Sequence, residues 1–347
     1  MQRQIITFIA LLILLFGLSG YYFFKFLKTP LALIQTQKII RIPKGVSVRE
    51  VLTVLEREQV LSRYAAKGLL LWIKLTREEK HLKAGTYLLF PPLTPEGLLH
   101  KLVSGDVAQF EIRVLEGETY LDFRAKLKAN PYVQQTLQDI CDELYLVHAL
   151  NSPYPYLEGL FFPDTYYFLD QTTDVMILKL AYHTMQRRLA EAWQSRDPNV
   201  VLKNPYEALI LASIIEKESA VDEERPIISG VFQRRLAQKM RLQADPTVLY
   251  GLGDYKRDLK KEDLKTSTPY NTYLIPALPP TPITLPGLKS IQAALHPDSS
   301  KALYFVSKGD GTHFFSDDLK THQKAVEKYQ LKVQTPMVQP TGKAHEQ

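Results

Sequence analysis

Glu216 and Glu218 stand two residues apart near the end of the stretch EALILASIIEKESA, Glu207 to Ala220. This run contains no Gly or Pro and reads as a helix. With Leu209 at 0° and about 100° per residue, Leu211, Ile214, Ile215 and Glu218 fall together between roughly 140° and 240°. Glu216 lands near 340°, beside Ser213, so the two carboxylates are expected on opposite faces and cannot share one site. Burial among Leu211, Ile214 and Ile215 would disfavour the charged form of Glu218 and raise its pKa, whereas Glu216 is expected to face water. A carboxyl that stays protonated near neutral pH suits general acid catalysis. The other reading is a Glu at a helix end that pairs with a Lys or Arg from elsewhere in the chain.

Other chemistries are poorly supplied. Cys141 is the only cysteine, which excludes a disulfide framework or a cysteine metal cluster within one chain and suggests a buried apolar filler. The eight histidines show no HExxH or comparable ligand spacing, so no metal is implied. The net charge of +6 comes from 43 Lys and Arg interspersed with 37 Asp and Glu. Such a balance suits a membrane surface or an acidic polymer, and no nucleic-acid-binding signature is present.

The elements that must position Glu218 belong to a chain of 347 residues, long enough for two modest domains and an anchor. Ile5 to Phe24 runs uncharged between Arg3 on one side and Lys25 and Lys28 on the other, the length of a membrane-spanning helix. A cleaved signal peptide is the competing reading, but its apolar region is shorter and GLSGYYFF offers no good cleavage site. Residues 1–28 are therefore expected to form a cytoplasmic N-terminus and a single-pass anchor, with the body outside the cytoplasm. Residues 36–110 alternate strands with capped helices: KIIRIP then Ser47, TYLLF then Thr94, with FEIRVLEG and Thr119 opening a third such unit. This spacing predicts a small α+β module. Residues 111–200 form a connecting subdomain containing a Pro- and Tyr-rich joint, Asn151 to Tyr156, that reads as a packing seam or a sugar-stacking loop. Residues 201–330 have strong helices between Pro-rich loops and are expected to be the catalytic domain. Within it, Leu303–Val306 and His313–Phe315 across Gly309-Asp310-Gly311 read as a β-hairpin, and the charged run Lys256 to Lys265 as a solvated face. Residues 331–347 read as a flexible tail.

Several ordered motifs resemble one family. Ala212-Ser213-Ile214-Ile215-Glu216-Lys217-Glu218-Ser219, Val231 to Leu236, Met240 to Gly251, Tyr270-Asn271-Thr272-Tyr273, Leu278-Pro279-Pro280, Ala294 to Pro297 and Leu303 to Val306 are similar to the YceG-like endolytic murein transglycosylases. Leu82 to Tyr87 and Glu158 to Tyr166 extend the likeness over nearly the whole chain. The resemblance implies an α+β protein made of a single transmembrane helix, a LysM-like module and a mainly helical lytic transglycosylase domain. It also implies a lyase that cuts nascent peptidoglycan strands endolytically and leaves 1,6-anhydro-N-acetylmuramic acid ends, ending strand elongation. The second Glu of the family's E-K-E-[ST] motif is catalytic, which falls on Glu218.

The same resemblance places the body in the periplasm, anchored in the inner membrane. It offers glycan strands and peptidoglycan synthases as partners, with no cofactor and no nucleic acid. Gln243, Asp245, Tyr270, Asn271 and Thr272 are then candidates to orient the sugar through their amide, carboxylate, hydroxyl and phenol groups. For Asp245, ahead of Pro246, helix capping is an equal alternative, and Asn271 after Pro269-Tyr270 also suits a turn. A hydrolytic muramidase using Asp245 as a second carboxylate and a non-catalytic glycan-binding scaffold are the rival readings.

Overall fold

The computed structural model describes residues 2–32, 36–137, 142–255 and 257–331. Cys141, Lys256 and the C-terminal tail expected over 331–347 lie outside the described residues, apart from the backbone of Leu331. The chain divides into two compact units. The first takes residues up to Phe110 together with Tyr167–Thr172, and the second takes Glu111–Tyr166 and the chain from Thr173 onward.

In the first unit the helix Gln2–Lys28 contains the span Arg3–Lys28, whose mean hydropathy is 2.2 and whose apolar window is unburied. Its length and composition are sufficient to cross a membrane. Beyond it, strand Lys38–Ile42 pairs antiparallel with Gly85–Leu89, placing Ile40 opposite Tyr87. Alternation buries Ile40 and Ile42, while Ile39 and Arg41 point outward. Three helices, Val48–Arg57, Arg63–Thr76 and Pro95–Ser104, enclose this pair. Their starts follow the expected chemistry. Ser47 and Glu50 form a capping box, Thr94 accepts from the Gly97 amide, and Gly105 ends the last helix with a left-handed φ of 72°. Leu55, Leu69, Leu89 and Leu98 are fully buried at its centre.

The second unit is mainly helical. Thr119 and Asp122 form a capping box on the helix Tyr120–Ala129. The long helix Asp174–Gln194, the helix Arg225–Ala237 and the helix Leu288–Leu295 all pack against Pro205–Glu218. Pro205–Glu218 starts at Asn204, whose side chain accepts from the Glu207 amide, with Pro205 in the first turn where no amide is needed. Every residue from Ala208 to Ile215 is buried. The one-sided apolar stripe expected from the sequence is thus wrong in one respect: this helix is buried all round, which makes it the central element of its unit. Ser213 lies within that core, donating to the Ile210 carbonyl and accepting from the Ile283 amide at 3.0 Å. Near the C-terminal side, strands Tyr304–Ser307 and His313–Ser316 pair antiparallel, with Ser307 opposite His313.

Candidate active site

Glu218 is the last residue of the central helix, where the chain turns to extended geometry at Ser219. That position is significant in itself, because the unpaired carbonyls of a helix C-terminus carry partial negative charge and oppose a carboxylate. The side chain lines a cavity of about 370 Å³ together with Arg235, Gln243, Asp245, Tyr273 and His313. Desolvation by burial, then the nearby Asp245 carboxylate, push the Glu218 pKa up to about 8 against the opposing pull of Arg235. The carboxyl therefore carries its proton at neutral pH and faces a space large enough for a ligand.

Arg235, on the helix Arg225–Ala237, also lines the cavity. Its Nε donates to the Leu303 carbonyl at 2.7 Å and its Nη1 to the Leu242 carbonyl at 2.8 Å and the Gln243 side chain at 3.4 Å. The guanidinium also lies over the Tyr304 ring, 5.2 Å from its centroid. One planar fork thus ties the segment before Gln243 to the start of the strand pair, a task that its fixed donor geometry fits. Gln243 itself adopts a left-handed φ of 55°, with its amide donating to the Thr272 carbonyl at 3.1 Å. A non-glycine residue held in this region stores strain, and such strain clusters at functional sites.

Asp245 opens the helix Asp245–Gly251, but the capping residue is Ala244 and no side-chain cap bond forms there. The capping explanation of Asp245 is therefore replaced by another. Its Oδ1 accepts from the Tyr273 hydroxyl at 2.5 Å on the rim of the Glu218 cavity.

The remaining sequence candidates are not brought to this cavity. Asn271 is fully buried, donating to the carbonyls of Leu264 at 3.1 Å and Thr266 at 2.8 Å. Thr272 is equally buried, with its hydroxyl accepting from the Ala244 amide at 3.0 Å and meeting the Thr247 hydroxyl at 2.9 Å. Their polar atoms are engaged by backbone and, for Thr272, by the Thr247 hydroxyl, so they brace the loop that carries Gln243 and Asp245 rather than face a ligand. Tyr270 lines a separate cavity considered below. Tyr273, three residues on, reaches the Glu218 cavity in its place, and Arg235 joins it there. Both stood within motifs noted in the sequence, but neither motif shows which member points inward.

Glu216 requires a correction. Instead of facing water, its side chain is only 5% exposed, pairs with Arg225 at 3.2 Å and accepts from the Gly287 amide at 2.9 Å. The segment around Gly287 and the neighbouring helix cover the face that helical periodicity had left open. His313 lines the cavity and also meets the Glu224 carboxylate through Nδ1 at 2.7 Å.

The YceG-like family model matches residues 40–328. The chain belongs to the YceG-like family. It is 33% identical over 310 residues to the endolytic murein transglycosylase of Bacillus subtilis strain 168, covering 84% of each chain. The endolytic murein transglycosylase of Streptococcus pneumoniae serotype 2 strain D39 is 27% identical over 365 residues, with 93% of this chain and 64% of that longer protein covered. Among solved structures, a YceG-like protein of Listeria monocytogenes superposes with a TM-score of 0.51 at 29% identity, over 83% of this chain and 98% of that one. The family match includes Glu218, Arg235, Gln243, Asp245, Tyr273 and His313, every one of the six cavity residues considered above.

Proposed function

We propose that this chain is a membrane-anchored, endolytic peptidoglycan lytic transglycosylase, a lyase in which Glu218 serves first as acid and then as base. The observation that carries the reading is a carboxyl held protonated at neutral pH at the wall of an open polar cavity. Protonated Glu218 donates to the glycosidic oxygen between N-acetylmuramic acid and N-acetylglucosamine as that bond breaks. The resulting carboxylate then takes the proton of the muramic acid C6 hydroxyl while its oxygen closes onto C1. The product is a 1,6-anhydro end, and Glu218 regains its proton. Because the nucleophile belongs to the substrate, a single carboxyl suffices, unlike the two of most glycosidases.

Supporting groups follow from the same geometry. Gln243 presents an amide, and Asp245 and Tyr273 a hydrogen-bonded acceptor and donor, to the hydroxyl and N-acetyl groups of the sugar. Asp245 also supports the second reading, a muramidase in which it activates a water molecule. Mass spectrometry of strands digested by the full chain separates the two: anhydro-muramic ends support the lyase, and reducing ends sink it. Glu218→Gln should abolish either product while the protein stays folded, and retained cleavage would leave Glu218 without a catalytic role.

The first unit acts as a LysM-like glycan-binding module, and the helix Gln2–Lys28 anchors the protein in the inner membrane with the body in the periplasm. In that compartment the substrate is the nascent strand beside its synthase, and cutting it ends strand elongation. Protease added to spheroplasts should digest the body while leaving a cytoplasmic marker intact; a protected body would reverse the orientation.

A further inference from the structure

A second cavity, of about 310 Å³, lies within the same unit. Tyr156, Glu158, Tyr250, Tyr270 and Thr281 are among its lining residues, and the mechanism uses none of them. Its volume is at the lower end of the roughly 300–1,000 Å³ typical of small-ligand sites.

The polar atoms of this cavity are held in place by bonds within the protein. Glu158 Oε1 accepts from the amides of Tyr120 at 3.0 Å and Gly159 at 3.2 Å, while Oε2 accepts from the Tyr250 hydroxyl at 3.3 Å. The Tyr270 hydroxyl meets Thr281 Oγ at 2.9 Å, and the Tyr250 and Tyr270 rings pack edge to face 4.9 Å apart. Gly159 makes the turn possible. Its φ is 79°, and a Cβ there would come within 2.3 Å of Pro282. Burial pushes the Glu158 pKa up to about 7 against the pull of its hydrogen bonds.

The joint rich in Pro and Tyr divides its aromatics between two tasks. Tyr154 stacks on Tyr206 with centroids 3.9 Å apart, which is packing. Tyr156 is 59% exposed and lines the cavity, offering a ring face to whatever enters. An exposed ring beside fixed hydroxyl and carboxyl groups suits a pyranose, whose apolar C–H face stacks while its edge hydroxyls bond.

Two elements join this cavity to the Glu218 site. Asp245 of the first cavity and Tyr250 of the second lie on one helix, separated by about 7.5 Å of axial rise. One turn carries Tyr270 to the second cavity and Tyr273 to the first, with buried Asn271 and Thr272 fixing the distance between them. Taken with the glycan substrate proposed above, on which this step rests, we infer that the Tyr156–Glu158–Tyr250 cavity is a second pyranose subsite. It holds the strand at a distance from the scissile bond.

Binding of a hexasaccharide of alternating N-acetylglucosamine and N-acetylmuramic acid to the full-length Glu218→Gln protein, measured by calorimetry in detergent, tests this. Adding Tyr156→Ala should weaken binding roughly five- to ten-fold, the loss of about one stacking contact, whereas adding Tyr156→Phe should leave affinity within about two-fold. Glu158→Gln/Glu218→Gln reports on the polar half, with near-ultraviolet circular dichroism verifying its fold. Unchanged hexasaccharide affinity in the Tyr156→Ala protein would overturn the subsite. Failure of the main reading has a separate signature: the unaltered chain would then release no anhydro ends from the same hexasaccharide, whatever Tyr156 does to binding.

Discussion

Glu218→Gln should stabilise the protein while removing its activity, and the size of the gain should depend on pH. In the folded chain the carboxyl titrates at about 8, against the ordinary value of 4.5 that applies once the chain unfolds. Below pH 4.5 both states hold the proton and the group is neutral with respect to folding. As pH rises from there, the unfolded chain releases its proton and the folded chain keeps it, so folding loses stability until the folded carboxyl also ionises near pH 8. At about 1.4 kcal/mol per pH unit, the accumulated cost is below about 1 kcal/mol at pH 5, about 3 kcal/mol at pH 7 and close to its ceiling above pH 8. Gln keeps the shape and has no proton to lose, so the variant escapes this cost.

Thermal unfolding of the full chain in detergent, followed by near-ultraviolet circular dichroism at pH 5, 7 and 8.5, reads the effect. For a unit of this size about 3 kcal/mol corresponds to a rise in Tm of roughly 6–12 °C at pH 7, shrinking to a few degrees at pH 5. A Tm difference that is independent of pH, or a variant less stable than the parent at pH 7, would refute the assignment of Glu218 as a neutral buried acid. The same titration governs catalysis, since kcat/KM should fall about ten-fold per pH unit above pH 8 as the acid form is lost.

Glu216 provides a contrast. Glu216→Ala takes from Arg225 its buried partner, leaving only the more exposed Asp222 at 3.6 Å, and should cost about 3 kcal/mol in thermal or urea unfolding, whereas Glu216→Met combined with Arg225→Met should recover most of it. Gln243→Gly relieves the left-handed backbone and should raise stability by about 1 kcal/mol, yet lower kcat/KM because the side-chain amide leaves the cavity. Asn271→Ala strips the side-chain donors from two backbone carbonyls and should cost about 2 kcal/mol of stability, measured by the same unfolding scan. Full activity of folded Asn271→Ala at low temperature would fit a bracing residue, and a loss confined to KM would instead indicate sugar contact.

Local signals in the sequence carried much of this structure. Ser47, Thr94 and Thr119 each begin a helix because a hydroxyl and a free amide three residues on are enough to mark a start. The desolvation of Glu218 was legible because its position continues the apolar pattern of Leu211, Ile214 and Ile215. Glu216 was misread because its cover comes from Gly287 and Arg225, and helical periodicity carries no information about what packs on the polar face. Asn271 and Thr272 do not reach the Glu218 cavity for a related reason. Their chemistry suits a ligand, but carbonyls and amides at 264, 266 and 244 reach them first. Arg235 was hidden beside Arg234, an equally basic neighbour that bonds the Ala302 and Asp298 carbonyls, and only the tertiary fold decides which of the two meets the cavity.

The two glutamates show how one turn of helix can prepare opposite environments. Glu216 is matched by a cation and a backbone donor, so its burial is compensated within the protein. Glu218, two residues later, has Asp245 nearby, the carbonyl end of the helix beneath it and Arg235 at a distance as the opposing influence. Arg235 forms no ion pair with Glu218 within 4 Å among the described residues; its Nε and Nη1 are turned to the carbonyls of Leu303 and Leu242 instead. Spending a guanidinium on neutral carbonyls shapes the cavity and leaves the acid protonated. Had Arg235 turned to Glu218 instead, the site would hold an ion pair and no proton to give. The backbone bonds of Arg235 are therefore as necessary to the proposed chemistry as the carboxyl itself.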